Sequence, residues 1–210
     1  DATAIDSYIT SMKDTTYGKL NSSGEAGPAG PQGEKGDKGD TGATGATGPQ
    51  GAAGADGLFA NSTGNSNIAV GNQSLKANTT GYENVAIGEY SLFSNTTGRG
   101  NNASGIGALY SNTTGDDNIA LGTNALGVNT TGIDNIAVGR AALLNNTIGQ
   151  NNVAIGMKSM RMNTEGENSI AIGRYSLHDN TTGNNNIALG TYSLFANSTG
   201  NSNIAVGNQS

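Results

Sequence analysis

The stretch "NTTGYENVAIGEYSLFSNTTG", Asn78–Gly98, begins and ends on the same four residues. Asn-x-x-Gly starts at Asn61, Asn78, Asn95, Asn112, Asn129, Asn146, Asn163, Asn180 and Asn197, a spacing of 17 every time. A short fixed period without helix-forming composition predicts a β-solenoid in which each repeat is one coil. Numbering positions from the Asn gives the consensus N-T-T-G-x-x-N-I-A-V-G-x-x-S-L-x-x over coils 1 to 9. Ala holds position 9 and Gly position 11 throughout, and position 15 is Leu except at Met160.

Side chains alternate along "NIAVG", so Ile68 and Val70 share one face while Asn67 and Ala69 share the other. Apolar bulk places Ile68, Val70 and Leu75 inside the coil, with Ala and Gly letting neighbouring chains approach. The opposite facing puts Ala inside a narrower coil. Gly64 and Gly71 are expected at corners with positive φ. Coil 3 departs from the pattern. "NNASGIGALYS", residues 101–111, puts Asn102 and Ser104 where Ile and Val belong, and its Ile106 is displaced by two residues. A locally weakened or shifted coil is expected there. Three large apolar side chains per coil offset little of the cost of ordering 17 residues. Each coil should therefore need neighbours above, below and beside it. Residues 194–210 repeat residues 58–74 letter for letter and carry no cap, so the natural chain is expected to continue.

Glycine also falls at every third position from Gly24 to Gly57 without a break. Only glycine fits the axis of three wound polyproline-like chains, so this run predicts a collagen triple helix and hence a trimer. Pro28, Pro31 and Pro49 all occupy X, and none occupies Y. Lys35 and Lys38 at Y precede Asp37 and Asp40 at the next X, a spacing suited to interchain ion pairs. Before it, Ile5, Tyr8, Ile9 and Met12 form one apolar stripe of a short helix. The chain is thus read as a fibrous homotrimer in three parts. Residues 1–23 are an N-terminal helical or anchoring segment with a linker, 24–57 a collagen-like stalk, and 58–210 an all-β trimeric parallel β-solenoid of 17-residue coils.

Composition narrows the function. Glycine supplies 34 of 210 residues, aromatics 5% and the net charge is −6 with no run of basic residues. Nucleic acid is therefore an unexpected partner. No apolar run approaches the length of a membrane span. Cysteine is absent, so the redox compartment is not legible. The one histidine, His178, sits in a variable column and is expected to face solvent. No carboxylate pair recurs, and Asp116-Asp117 reads as turn solvation. No catalytic residue, cofactor or metal site is therefore expected. The N-x-[ST] sites are better explained by asparagines stacked between coils than by glycosylation. Thr41, Thr44 and Thr47 are candidates for O-linked sugars. The paired threonines of NTTG raise an ice-binding face only weakly, because adjacent residues point to opposite sides.

The binding candidates are aromatic. Phe59, Phe93, Tyr110 and Phe195 share position 16, while Tyr90, Tyr175 and Tyr192 share position 13. Both columns accept unrelated residues elsewhere, which predicts a surface location. Exposed rings there suit a saccharide or a protein partner, with Tyr90, Phe93, Tyr175, Tyr192 and Phe195 as the candidate contacts. The other reading of the same rings is packing between chains of the trimer.

The repeated "NIAVG…S" and "NVAIG…S" motifs resemble the head repeats of trimeric autotransporter adhesins, which form trimeric left-handed parallel β-rolls. The period here is longer than is usual in those heads. The "NTTG" version beside a collagen stalk is similar to phage and giant-virus tail fibres and to related bacterial surface proteins. The resemblance implies an extracellular trimeric fibre, on a virion or a bacterial surface, for adhesion to a cell-surface glycan or protein receptor. The alternative is a purely structural stalk or filament subunit, with recognition carried by another domain.

Overall fold

The computed structural model describes residues 62–210. The expected helix of residues 1–23, the Gly-X-Y run of 24–57 with Thr41, Thr44 and Thr47, and Phe59 all lie outside the described residues.

Within residues 62–210 the coil repeats without interruption. Each coil contributes one three-residue strand: β1 (Ile68–Val70), β2 (Val85–Ile87), β3 (Asn102–Ser104), β4 (Ile119–Leu121), β5 (Ile136–Val138), β6 (Val153–Ile155), β7 (Ile170–Ile172), β8 (Ile187–Leu189) and β9 (Ile204–Val206). They form one parallel sheet in chain order. The register is a 17-residue step, with Ala69 opposite Ala86 and Ala86 opposite Ala103. The backbone ladder also runs well beyond the strands. Leu92 N donates to Ala108 O at 3.0 Å, Ser94 N to Tyr110 O at 3.0 Å and Thr96 N to Thr113 O at 2.9 Å. Stacking therefore satisfies backbone groups around most of the coil, which a lone coil would leave unpaired.

The lumen corrects the expected facing. Ala69 is fully buried, whereas Ile68 is 46% and Val70 49% exposed. Ala86, Ala103, Ala120 and their equivalents are likewise buried, opposite Leu92, Leu109 and Leu126. The reason is space. A lumen layer already holds a leucine (Met160 in coil 6), a serine or alanine, and two asparagines (one with Ser169 in coil 7), and a branched side chain at position 9 would not fit among them. Ile and Val instead line the outer face of the sheet in two columns.

Position 1 asparagines form an internal ladder, as expected for stacking, and position 7 asparagines, which the expected facing put outside with Ala, form a second one. Asn112 Nδ2 donates to Asn95 Oδ1 at 2.8 Å and to Gly115 O at 2.9 Å. Asn101 Nδ2 also donates to Gly115 O, at 2.8 Å, so this carbonyl accepts from both ladders. Asn112 Oδ1 then accepts from Asn129 Nδ2. Both functions of a fully buried amide are thus engaged, which makes its burial tolerable. Where Ser169 replaces asparagine at position 7, its Oγ accepts from Asn186 N at 3.1 Å and maintains that rung. Replacing Asn112 by Ala should leave Asn129 Nδ2 and the Gly115 carbonyl each short of a partner. We expect a loss of about 1–3 kcal/mol in chemical denaturation, with the coil register retained.

The glycines divide by cause. Gly122 at position 11 has φ +134, and a Cβ there would sit 2.8 Å from the Gly139 carbonyl carbon. Position 4 differs from expectation, because none of its glycines has positive φ. A Cβ at Gly115 would instead fall on the Gly132 carbonyl and the Asn112 amide oxygen. Left-handed conformations go largely to non-glycine residues, including Leu92 (φ 48) and Tyr90 (φ 58). Coil 3 is not shifted. Asn102 pairs with Val85 and Ile119 in the common register, and Ile106 occupies position 12 as an exposed side chain.

Candidate functional site

The αL backbone at position 13 and the turn around position 16 bring the two variable columns side by side. The structure gathers the candidate rings into two groups. In coils 2 and 3, Phe93 and Tyr110 stack with centroids 5.1 Å apart and planes 3° from parallel. Tyr90 meets both edge-on, at 5.6 and 6.2 Å. In coils 7 and 8, Tyr175 stacks on Tyr192 at 5.1 Å and His178 on Phe195 at 5.0 Å. Tyr192 closes the group against Phe195 at 5.5 Å. Position 13 or 16 is occupied by Asn124, Gly127, Ala141 and Leu144 between the two groups, so no ring connects them.

Tyr90, Phe93, Tyr175, Tyr192 and Phe195 are all half-buried, each flanked by a ring of an adjacent coil. Sequence reasoning missed one member. His178 was expected to face solvent, yet its side chain is only 12% exposed, stacked on Phe195 and held by Asp179 Oδ1, 2.6 Å from Nδ1. The signal was its place in the same column as Phe195. Tyr110, 41% exposed, was recognised in the column but not among the candidate contacts.

Cations accompany the rings. Lys76 Nζ lies 5.4 Å from the Phe93 centroid. Lys158 Nζ is 5.3 Å from the Tyr175 centroid and 3.3 Å from its hydroxyl, while the Arg174 guanidinium is 4.9 Å from that ring. The hydrogen bond from Lys158, then that from Arg174, draws the Tyr175 phenol below its usual range. The sequence shows no basic run, but a 17-residue coil folds residues far apart onto one patch. Arg140, Lys158, Arg161 and Arg174 occupy positions 12, 13 and 16 of coils 5 to 7.

Position 5 carries a separate polar row. Arg99 donates from Nη1 to Tyr82 Oη at 2.7 Å and from Nε to Asp116 Oδ2 at 3.1 Å. Asp116 thus serves an ion pair between coils, rather than turn solvation. Threonines at position 2 bond along the stack, as Thr96 Oγ1 does to Thr113 O at 3.0 Å, which commits their hydroxyls to structure. Among the described residues no group of three or more His, Asp or Glu is placed to hold a metal. No helix there is long and apolar enough to cross a membrane.

Comparison with known proteins bears on the other end of the chain. Residues 16–66 match the family described as collagen triple helix repeat (20 copies). The unbroken glycine period of 24–57 lies wholly inside that match. Collagen-like repeats followed by a parallel β-solenoid make this a collagen-like fibrous protein. No curated protein and no solved structure matches the chain.

Proposed function

We propose that the chain is the subunit of an extracellular homotrimeric fibre, on a virion or a bacterial surface, which adheres to a cell-surface glycan or protein receptor. The observation that carries the adhesive part is the pair of aromatic groups at positions 13 and 16. The coil leaves these columns free of structural demand, yet rings gather there in adjacent coils. Rings fixed by a rigid backbone and by each other lose little entropy on binding, which favours recognition.

Trimerisation has two supports. A Gly-X-Y run folds only as three chains. The solenoid also presents Ile and Val in two parallel columns along its sheet, including Ile119 at 37% and Ile172 at 42% exposure. Apolar stripes of this length, broken only at Asn102 and Ser104 of coil 3, are uncommon on single soluble chains and suit burial against further copies. The second reading, a structural spacer, is favoured by the uniformity of the asparagine ladders, which specify a stiff rod whether or not anything binds it.

The test replaces Tyr175 and Tyr192 by Ser and measures both melting and binding to a glycan array. We expect binding to fall at least tenfold with melting nearly unchanged. Loss of the trimer instead would make these rings interchain packing and put the spacer reading ahead.

A further inference from the structure

We propose that the patch formed by Arg140, Lys158, Arg161 and Arg174 beside the coil 7 and 8 rings is a binding site for an acidic saccharide bearing carboxylate or sulfate groups. The proposal deepens the adhesive reading and rests on it.

Four observations converge. First, residues 62–210 contain six Lys and Arg, and four of them lie in this patch, although the whole chain is acidic at −6. Second, none of the four forms an ion pair. Among the described residues the pairs are Arg99–Asp116 and His178–Asp179. Glu165 and Glu167, the acidic residues of coil 7 besides Asp179, occupy positions 3 and 5 rather than the ring columns. Third, Arg161 Nε is buried with no hydrogen-bond partner, and Nη1 meets only Met162 Sδ at 3.8 Å. The Arg161 guanidinium therefore finds no acceptor within the described residues, and the planar fork of an arginine matches a carboxylate or sulfate. Fourth, Tyr175 and Tyr192 turn their faces toward each other, and Lys158 and Arg174 lie against Tyr175. Tyr175 therefore offers mainly its ring edge to a ligand, and that is the electropositive part of an aromatic ring. An edge with two cations beside it suits hydroxyls and anionic oxygens. From Arg140 to Arg174 the patch spans two coil steps, about 10 Å at sheet spacing, which fits a short oligosaccharide. The Phe93 group differs, because its only neighbouring cation is Lys76 and Glu89 stands at position 12 of the same coil.

The test measures binding of the full chain by calorimetry to hyaluronan, dextran sulfate, neutral dextran and a single-stranded oligonucleotide, at low and moderate salt. We expect hyaluronan or dextran sulfate to bind and to weaken with salt, the pair showing whether carboxylate or sulfate is preferred. Arg161→Gln with Arg174→Gln should weaken that binding at least tenfold. Arg99→Gln, off the patch, should leave it unchanged. If the Arg161 variant fails to fold, Arg140→Gln with Arg174→Gln, both at exposed residues, serves in its place. Equal binding of the oligonucleotide would reduce the patch to general polyanion attraction and overturn the proposal, as would binding insensitive to these variants. Binding of neutral glycans alone, lost on Tyr175→Ser with Tyr192→Ser, would overturn the acidic ligand while leaving the adhesive reading intact. Binding of no saccharide would remove both.

Discussion

Replacing Ile119 and Ile155 by Asp should convert the solenoid from three chains to one without unfolding its coils. The measurement is sedimentation velocity at a temperature above the melting of the Gly-X-Y segment, so that the stalk no longer holds the chains together. That segment has no proline at Y, and its sequence offers in compensation only the Lys–Asp spacing, whose surface pairs would each be worth roughly 0–1 kcal/mol, so it should melt first. On the proposed arrangement the unsubstituted chain should still sediment as three chains, because its outer Ile and Val columns would stay buried between copies. Full burial of one such side chain stabilises by about 1.5–3 kcal/mol, and here the gain repeats in coil after coil. Carboxylates placed at the same points in three chains would face one another in an apolar setting, where an unpaired charge is heavily penalised. Their side chains do not enter the lumen, whose Ala120 and Ala154 are unchanged and fully buried. The far-ultraviolet signature of the coils should therefore persist. If the unsubstituted chain fell to a single chain as soon as the stalk melted, the outer columns would not be an interface.

The period of 17 was enough to give the strand positions, the parallel order and the asparagine ladders, because each follows from stacking identical coils. The facing of "NIAVG" was harder. Counting apolar bulk favours Ile and Val inside, and this is the rule for a sheet over a wide core. The coil is narrow, and its lumen is already occupied by Leu92, Ser91, Asn84 and Asn95. One column could have settled the matter. Position 9 is Ala in every coil, as a narrow lumen demands, whereas positions 8 and 10 accept Ile, Val and Leu and, in coil 3, Asn102 and Ser104. Positive φ was equally deceptive. Glycine at position 4 is needed for close approach to a carbonyl and an amide oxygen, whereas the buried leucine at position 15 adopts the left-handed region. Local preference lost to the geometry of stacking there.

The candidate rings were legible as columns, since a variable position in a strict repeat is visible without coordinates. Their company was not. His178 joins Phe195 only because the coil closes, and Lys158 and Tyr175, 17 apart, meet only because residues one period apart are spatial neighbours. A search for basic runs along the chain passes over a patch assembled across coils.

Coil 3 supplies the second large expectation. Asn102→Ile with Ser104→Val should stabilise the three-chain solenoid. These two residues interrupt the outer apolar columns while β3 keeps its register with Val85 and Ile119. In a single chain Asn102 is exposed, and the change would alter stability only by strand preference, a few tenths of a kcal/mol. Between three chains the same residues form a buried polar layer, and each group left short of partners there costs about 1–3 kcal/mol. Replacing that layer by apolar side chains in all three chains should therefore raise the melting temperature by several degrees, more at high protein concentration than at low. The polar layer also has a consequence for alignment. Every other coil presents Ile, Val or Leu at positions 8 and 10, so a chain displaced by one coil would meet an almost identical stripe. Asn102 and Ser104 meet their own kind only in the aligned arrangement, and displacement would bury them against isoleucine and valine. An unchanged melting temperature at every concentration would mean that the outer columns face solvent, and the trimer would then rest on the collagen segment alone.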